Sequence, residues 1–243
     1  MIKVYLFKND DIRNENPYLV DWQYNAYQCF SEKITNKQLK FPCIPATQGF
    51  TLGHFKYGFI GNPIDEFAPT ELAKLLKEYA LCYQELGNYT SLVIFFEQIK
   101  EDTNTVYNYE NLFWKILNEV SQLDQLEWPS DIPDDPSDRL WEYCFHGERF
   151  FIYSATPKHE KRLSRSFPYF MLAITPRKVF EEFQQSNSAK QIKNKIRERL
   201  IQYDNVPPHP ELKQYGEKDN YESKQYFLRD DQSTLTQCPF HKS

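Results

Sequence analysis

The chain has 243 residues and a formal net charge of −5. We therefore do not expect non-specific binding to nucleic acid, which needs a basic surface. Hydrophobic residues make up 40% of the chain and aromatic residues 16%, enough for one large aromatic-rich core. No run approaches the roughly 20 apolar positions of a membrane helix, and the first ten residues lack a signal-peptide core. We expect a cytoplasmic protein without a membrane partner.

The cysteines do not form a metal-binding pattern. They are odd in number and scattered, and no CxxC pair is present, so the sequence gives no zinc-site spacing. We expect reduced thiols, with Cys43 packed as a small hydrophobic residue. The five are Cys29, Cys43, Cys82, Cys144 and Cys238.

Apolar spacing predicts helices and strands through the first half of the chain. Residues 16–34 and 69–86 have helical periodicity, and Gly87 lies where a C-cap glycine belongs. Residues 55–60 could form a strand. The continuous apolar run 91–96 is typical of a strand buried on both faces.

The second half continues the mixture of helices and strands. Residues 112–123 have the spacing of an amphipathic helix, and 170–174 are predicted to form a strand. A Thr-Pro pair at 175–176 should cap a short helix over 177–183, and Ser188 should cap the next. Residues 221–228 could be a last strand or a short helix.

These elements predict an α+β (mixed α/β) fold in one domain over residues 1–243, with a central sheet flanked by helices. The elements do not alternate strictly, so neither a TIM barrel nor a Rossmann fold is expected. The sequence contains no GxGxxG, Walker A, GxSxG or HExxH motif. The common nucleotide-binding, hydrolase and zinc-protease patterns are therefore absent.

The stretch 141–165 carries the strongest local signals. Two aromatic-rich runs flank His146-Gly147-Glu148, which predicts a hairpin with Gly147 at positive φ. The following Thr156-Pro157 should start a short helix at Lys158. A basic helix start beside a strand end is suited to an anionic group. Alternatively, the basic residues form only a solvated helix face.

Several motifs together resemble the YqcI/YcgG family of bacterial proteins. The resemblance covers nearly the whole chain in order, with departures at Lys178, Lys213 and Ser154-Ala155. Each motif is weak alone, but the set is specific. The motifs are FPC at 41–43, SLVIFFE at 91–97, the WP…DDP…WEY run at 128–143, TPKHEKRLSRS at 156–166, TPRKVF at 175–180, the run 196–216, KQYFLRDD at 224–231 and CPF at 238–240.

The resemblance implies a heme-dependent N-oxygenase that hydroxylates a guanidino or amino nitrogen of an arginine-like small molecule. Heme b and an electron-donating reductase are the implied cofactor and partner. A homodimer is expected if many aromatic side chains prove exposed.

The resemblance also suggests site residues. His159 is the first choice for the heme iron ligand, ahead of Cys238, His209 and His54. The other suggested cofactor-binding residues are Arg162, Arg165 and Ser166, with the two arginines holding the propionates. A cationic substrate needs a carboxylate, for which Glu97 and Glu142 are candidates.

Two other functions stay open from the sequence. The chain could be a non-catalytic heme- or anion-binding protein with the same motifs. It could also be a hydrolase or transferase in which His159 acts as the base for a nucleophile at Ser164 or Ser166.

Overall fold

The computed structural model describes residues 5–14, 16–99 and 105–241. The strands in these ranges form one mixed sheet, in which the first and second strands are parallel and all other neighbours are antiparallel. The strands are β1 (Lys56–Ile60), β2 (Leu92–Phe96), β3 (Tyr143–Phe145), β4 (Glu148–Ala155) and β5 (Met171–Pro176). Their order across the sheet is β1-β2-β5-β4-β3.

Helices cover both faces of this sheet, which confirms the predicted α+β class with a central sheet flanked by helices. Short 3-10 turns at Tyr83–Glu85 and Leu163–Arg165 supplement them. No helix among the described residues is long and apolar enough to cross a membrane. The α-helices are α1 (Asn9–Arg13), α2 (Asp21–Thr35), α3 (Ile44–Thr51), α4 (Ala68–Cys82), α5 (Val106–Gln122), α6 (Arg177–Gln185), α7 (Ala189–Tyr203) and α8 (Ser223–Tyr226).

The strand β2 lies at the centre of the core and is fully buried, as the run 91–96 predicts. Successive side chains of a strand point to opposite faces. Leu92, Ile94 and Phe96 therefore pack in one cluster with α4 and α5, while Val93 and Phe95 pack in another with α2 and α3. The two helical layers are held by alternate residues of one strand.

The predicted hairpin is confirmed as β3 and β4, joined by a two-residue turn at His146-Gly147. His146 has φ 52° and Gly147 has φ 75°, so both central residues are left-handed, as in a type I′ turn. The backbone N–H of His146 donates to the carboxylate of Asp124 at 2.7 Å, which holds the non-glycine residue in this conformation.

The prediction of a helix that starts at Lys158 is wrong. The Thr156 N–H donates to the Arg165 carbonyl, and the Phe167 N–H donates back to the Thr156 carbonyl, so the segment closes as a loop. The carboxylate of Asp230 accepts from the backbone N–H groups of Glu160 and Arg162, at 2.8 Å each. These tertiary hydrogen bonds occupy donors that a helix would need, and only the 3-10 turn remains.

Several predicted boundaries also change. The first long helix, α2, begins at Asp21, because the side chain of Asn16 accepts from the Tyr18 N–H in a separate turn. The N-cap position of α6 is Pro176, while the Thr175 hydroxyl pairs with the Ser91 hydroxyl at 2.6 Å. The helix over 177–183 is confirmed, the stretch 221–228 contains α8, and α3 was not predicted.

A substitution at Gly49 tests how closely α3 packs against its neighbours. A Cβ atom at this position would lie 2.2 Å from the Tyr89 carbonyl oxygen and 2.6 Å from the Phe55 ring. We expect Gly49→Ala to lower the free energy of unfolding in urea by about 1–3 kcal/mol, because the backbone oxygen cannot move away cheaply. Gly61→Ala is the control, since a Cβ there meets nothing within 4 Å. Equal stabilities of the two variants would contradict this packing.

Candidate functional site

His159, the first residue expected to bind a cofactor, is buried and both of its ring nitrogens are engaged. Its Nε2 lies 2.8 Å from the Leu228 carbonyl, to which it must donate, and its Nδ1 lies 2.9 Å from the Thr156 hydroxyl. Burial lowers the pKa of His159 to about 4 despite the hydrogen bond to Leu228. In this arrangement His159 is a neutral link between the loop after β4 and the C-terminal segment.

Arg162 and Arg165 are also buried, and their guanidinium groups donate to backbone carbonyls. Arg162 binds the carbonyls of Pro207, Arg229 and Asp231 at 2.9–3.2 Å. Arg165 binds the carbonyls of Ser154, Gln225 and Tyr226, at 3.1 Å each. The basic residues after β4 therefore do not form a solvated helix face.

The two serines suggested as nucleophiles have no contact with His159. The Ser164 hydroxyl donates to the carboxylate of Asp204 at 3.0 Å, and its backbone N–H donates to the same group. Ser166 is half-buried and pairs through its backbone with Thr156. Since both nitrogens of His159 have other partners, the structure does not form the Ser–His pair that nucleophilic catalysis requires.

A cavity of about 380 Å³ opens at the sheet edge where β2 begins and β5 ends. This volume lies within the range of about 300–1,000 Å³ that ligand pockets occupy. The backbone around Thr90 and Ser91 forms one side, and α6 and α7 form the other. Most of the lining is apolar, from Phe151, Val179, Phe180, Phe183, Ile196, Leu200 and Leu212.

Cys43 lines both this cavity and a smaller one of about 130 Å³. Both cavities are lined by Cys43, Leu200 and Leu212, and the smaller one also by Arg162 and Arg165. Burial raises the pKa of the Cys43 thiol. Among the described residues, Cys43 is the one cysteine or histidine that lines these two cavities. Both His and Cys are usual ligands of heme iron.

A buried ionic cluster meets the wall of the larger cavity. Arg177 contacts the carboxylates of both Glu142 and Glu222, and Arg177 and Glu222 line the cavity. Burial raises the pKa of Glu142 to about 7, although Arg177 and Arg149 favour its charged form. Glu142 itself lies behind Arg177, with no exposed surface.

Basic side chains stand on the more exposed side of the same cavity. Lys193 and Arg197 come from α7, and Lys213 comes from the segment that follows it. The Lys193 amino group donates to the Gln214 side chain at 3.3 Å, and Lys213 pairs with Asp219 at 3.0 Å. Arg197 is exposed and makes no ion pair within the described ranges.

The other residues predicted for the site do not line either cavity. Glu97 follows the last residue of β2 and so lies at the opposite edge of the sheet. Cys238 packs against the core, where burial raises its thiol pKa to about 12. His209 is buried with its Nε2 3.3 Å from the Ser233 carbonyl, and His54 stacks on Tyr89.

Three residues that the fold brings to the cavity were not predicted as site residues: Cys43, Arg177 and Glu222. Cys43 belongs to the FPC motif, and Arg177 belongs to TPRKVF, so both had a signal. No sequence motif indicated Glu222. It lies about 130 residues after the start of β2 and reaches the cavity because α8 packs there. Glu222 thus lines the cavity, whereas Glu97 and Glu142, the acidic residues expected from the sequence, do not.

Comparisons with known proteins cover most of the chain. The model of the YqcI/YcgG family matches residues 30–241. Two similar proteins of Bacillus subtilis (strain 168) are "Uncharacterized protein YqcI" and "Uncharacterized protein YcgG". The first is 44% identical over 98% of this chain and 94% of that protein, and the second is 45% identical over 91% and 89%.

A more distant relative has a name that states an activity. "Putative N(omega)-hydroxy-L-arginine synthase DcsA" of Streptomyces lavendulae is 28% identical over 90% of this chain and 84% of that protein. No solved structure matches the chain. The similarity thus joins this chain to relatives along nearly its full length.

The buried imidazole predicts a specific dependence of stability on pH. Because the pKa of His159 is about 4 in the folded protein and near 6.5 when unfolded, the unfolded state binds an extra proton between these values. The contribution of the neutral His159 to the free energy of unfolding is fully present above pH 6.5. It is lost as pH falls towards 4, by up to about 1.4 kcal/mol per pH unit.

We expect His159→Gln to remove this dependence. The difference in unfolding free energy between wild type and variant, measured in urea at several pH values, should shrink from pH 7 to pH 5. Comparing the two proteins cancels the opposite effect of Glu142, whose pKa is raised. The exposed His241→Gln is the control. A wild-type-to-variant difference that stays constant with pH would contradict the buried neutral imidazole.

Proposed function

Because this chain belongs to the YqcI/YcgG family, we propose that it is an oxygenase that hydroxylates a nitrogen of an arginine-like small molecule. The observation that carries the proposal is the cavity that combines a thiol, apolar walls and a buried carboxylate. The name of the Streptomyces relative supports the substrate class.

The residues around Cys43 fit heme b, the cofactor expected from the sequence. The thiol supplies a ligand suited to iron, and the aromatic and aliphatic walls suit a flat apolar ring. Lys193 and Arg197, on the open side, would pair with the propionates. Bound heme would supply dioxygen activation, with electrons delivered by a separate reductase.

Cys43 must lose its proton to bind iron. Burial raises the pKa of the thiol, so iron binding at Cys43 would release the thiol proton. Cys43 occupies the N-cap position of α3, and the backbone N–H of Ala46 favours the charged sulfur. The partial positive charge of a helix N-terminus acts in the same direction.

His159 is a less suitable ligand in this fold. To bind iron through one ring nitrogen it would have to give up that nitrogen's hydrogen bond, to Thr156 or to Leu228, at a site with 2% exposure. Loss of either bond would leave a buried polar group unpaired, at a cost of about 1–3 kcal/mol. We therefore assign the ligand to Cys43 and a structural role to His159.

A spectrum of the purified protein tests the cofactor. Protein expressed with a heme precursor should have a Soret band that is lost or strongly reduced in Cys43→Ala, because the ligand is gone. Cys82→Ala, a thiol outside both cavities, is the control and should keep the band. A band unaffected by Cys43→Ala, or a colourless wild type, contradicts the assignment.

Turnover tests the reaction itself. With reductant, oxygen and L-arginine, the heme-loaded protein should form a product heavier by one oxygen atom on the guanidino group, as identified by mass spectrometry. Heme binding without any product from arginine or related amines would instead favour the non-catalytic heme-binding alternative.

A further inference from the structure

The carboxylate of Glu222 is buried at the cavity wall without full compensation. Its side chain is 2% exposed and lines the larger cavity. Its Oε2 lies 3.1 Å from the Arg177 Nη2, but neither atom has a hydrogen-bond partner of good geometry. The Asn220 amide donates to Oε1 at a long 3.5 Å. Glu222 therefore lines the cavity with a buried carboxylate, one oxygen of which lacks a well-aligned hydrogen-bond partner.

Arg177 cannot neutralise Glu222 alone, because it is shared with a second carboxylate. Its Nε donates to Glu142, and its guanidinium lies 4.1 Å over the Tyr215 ring. Arg149 approaches Glu142 at 3.5 Å, but it is also paired with Glu181 at 3.2 Å. Two buried carboxylates thus depend on the buried guanidinium of Arg177 and on the partly exposed guanidinium of Arg149, which is shared with Glu181. A buried charge without a full partner is costly, so a ligand that supplies positive charge is favoured.

We propose that Glu222 binds the guanidinium end of the ligand at the buried wall of this cavity. This inference rests on the proposed function and names the residue that selects its substrate class. A carboxylate accepts a guanidinium through two parallel N–H···O bonds, which a neutral urea group of the same shape cannot match in strength. The site therefore distinguishes charged from neutral ligands of equal size.

An anionic ligand at the same wall is disfavoured. Arg177 lines this wall, and both Glu142 and Glu222 already face it. An added anion would bring further negative charge to two buried carboxyl groups that already share one guanidinium. Arg177 Nη2 also lacks a well-aligned partner, so the preference for a cation rests on the charge balance of two carboxylates facing one guanidinium.

Paired ligands test the inference by isothermal calorimetry on the purified, heme-supplemented protein. L-citrulline replaces the guanidinium of L-arginine with a neutral urea group at the same chain length. Wild type should bind L-arginine at least tenfold more tightly than L-citrulline. In Glu222→Gln this preference should fall below threefold. Glu182→Gln removes an exposed carboxylate of α6 and should keep the full preference.

A second variant, Glu222→Asp, tests the inference if Glu222→Gln fails to fold. Glu222→Asp keeps the charge but shortens the side chain, so affinity for L-arginine should fall while affinity for L-citrulline stays unchanged. Equal binding of the two ligands by wild type, or an equal loss of both in Glu222→Asp, overturns the inference. Product formation is measured separately. Turnover together with an unchanged preference for L-arginine over L-citrulline in Glu222→Gln contradicts this inference but not the proposed function. Selective binding of L-arginine without turnover contradicts the proposed function but not this inference.

Discussion

The guanidinium of Arg165 holds the cavity wall in place. It is buried and bridges the Ser154 carbonyl of β4 to the Gln225 and Tyr226 carbonyls of α8. The Ser154 hydroxyl also donates to the Tyr226 carbonyl, and the Tyr226 hydroxyl donates to Phe150. Burying a charge is costly unless its donors are satisfied, and here backbone carbonyls supply the partners. This cross-link fixes α8 on the sheet, and Glu222 precedes α8 directly.

Local sequence patterns were enough to predict most of the secondary structure. The run 91–96 could be assigned because a strand buried on both faces needs apolar residues at every position. The hairpin at Gly147 followed from turn chemistry, which is local. The helix α3 was missed because Pro45 and Gly49 normally interrupt helices, although Pro fits the first turn and Gly49 is needed by the close approach of Tyr89.

The candidate site was harder to predict because its chemistry depends on distant partners. A His with neighbouring arginines has the composition of an anion site, yet His159 and Arg165 each donate to carbonyls 60–69 residues later in the chain. Those partners convert the cluster into a structural cross-link. Cys43 and Glu222 meet the same cavity only because the sheet edge, α7 and α8 converge there. No spacing rule relates such positions.

A crystal structure of the heme-supplemented protein grown with L-arginine tests the account most directly. We predict arginine in the cavity beside Cys43, with guanidinium nitrogens about 3 Å from the Glu222 carboxylate. Arginine bound at the opposite sheet edge near Glu97, or a cavity without arginine in a protein that binds it in solution, would contradict the account.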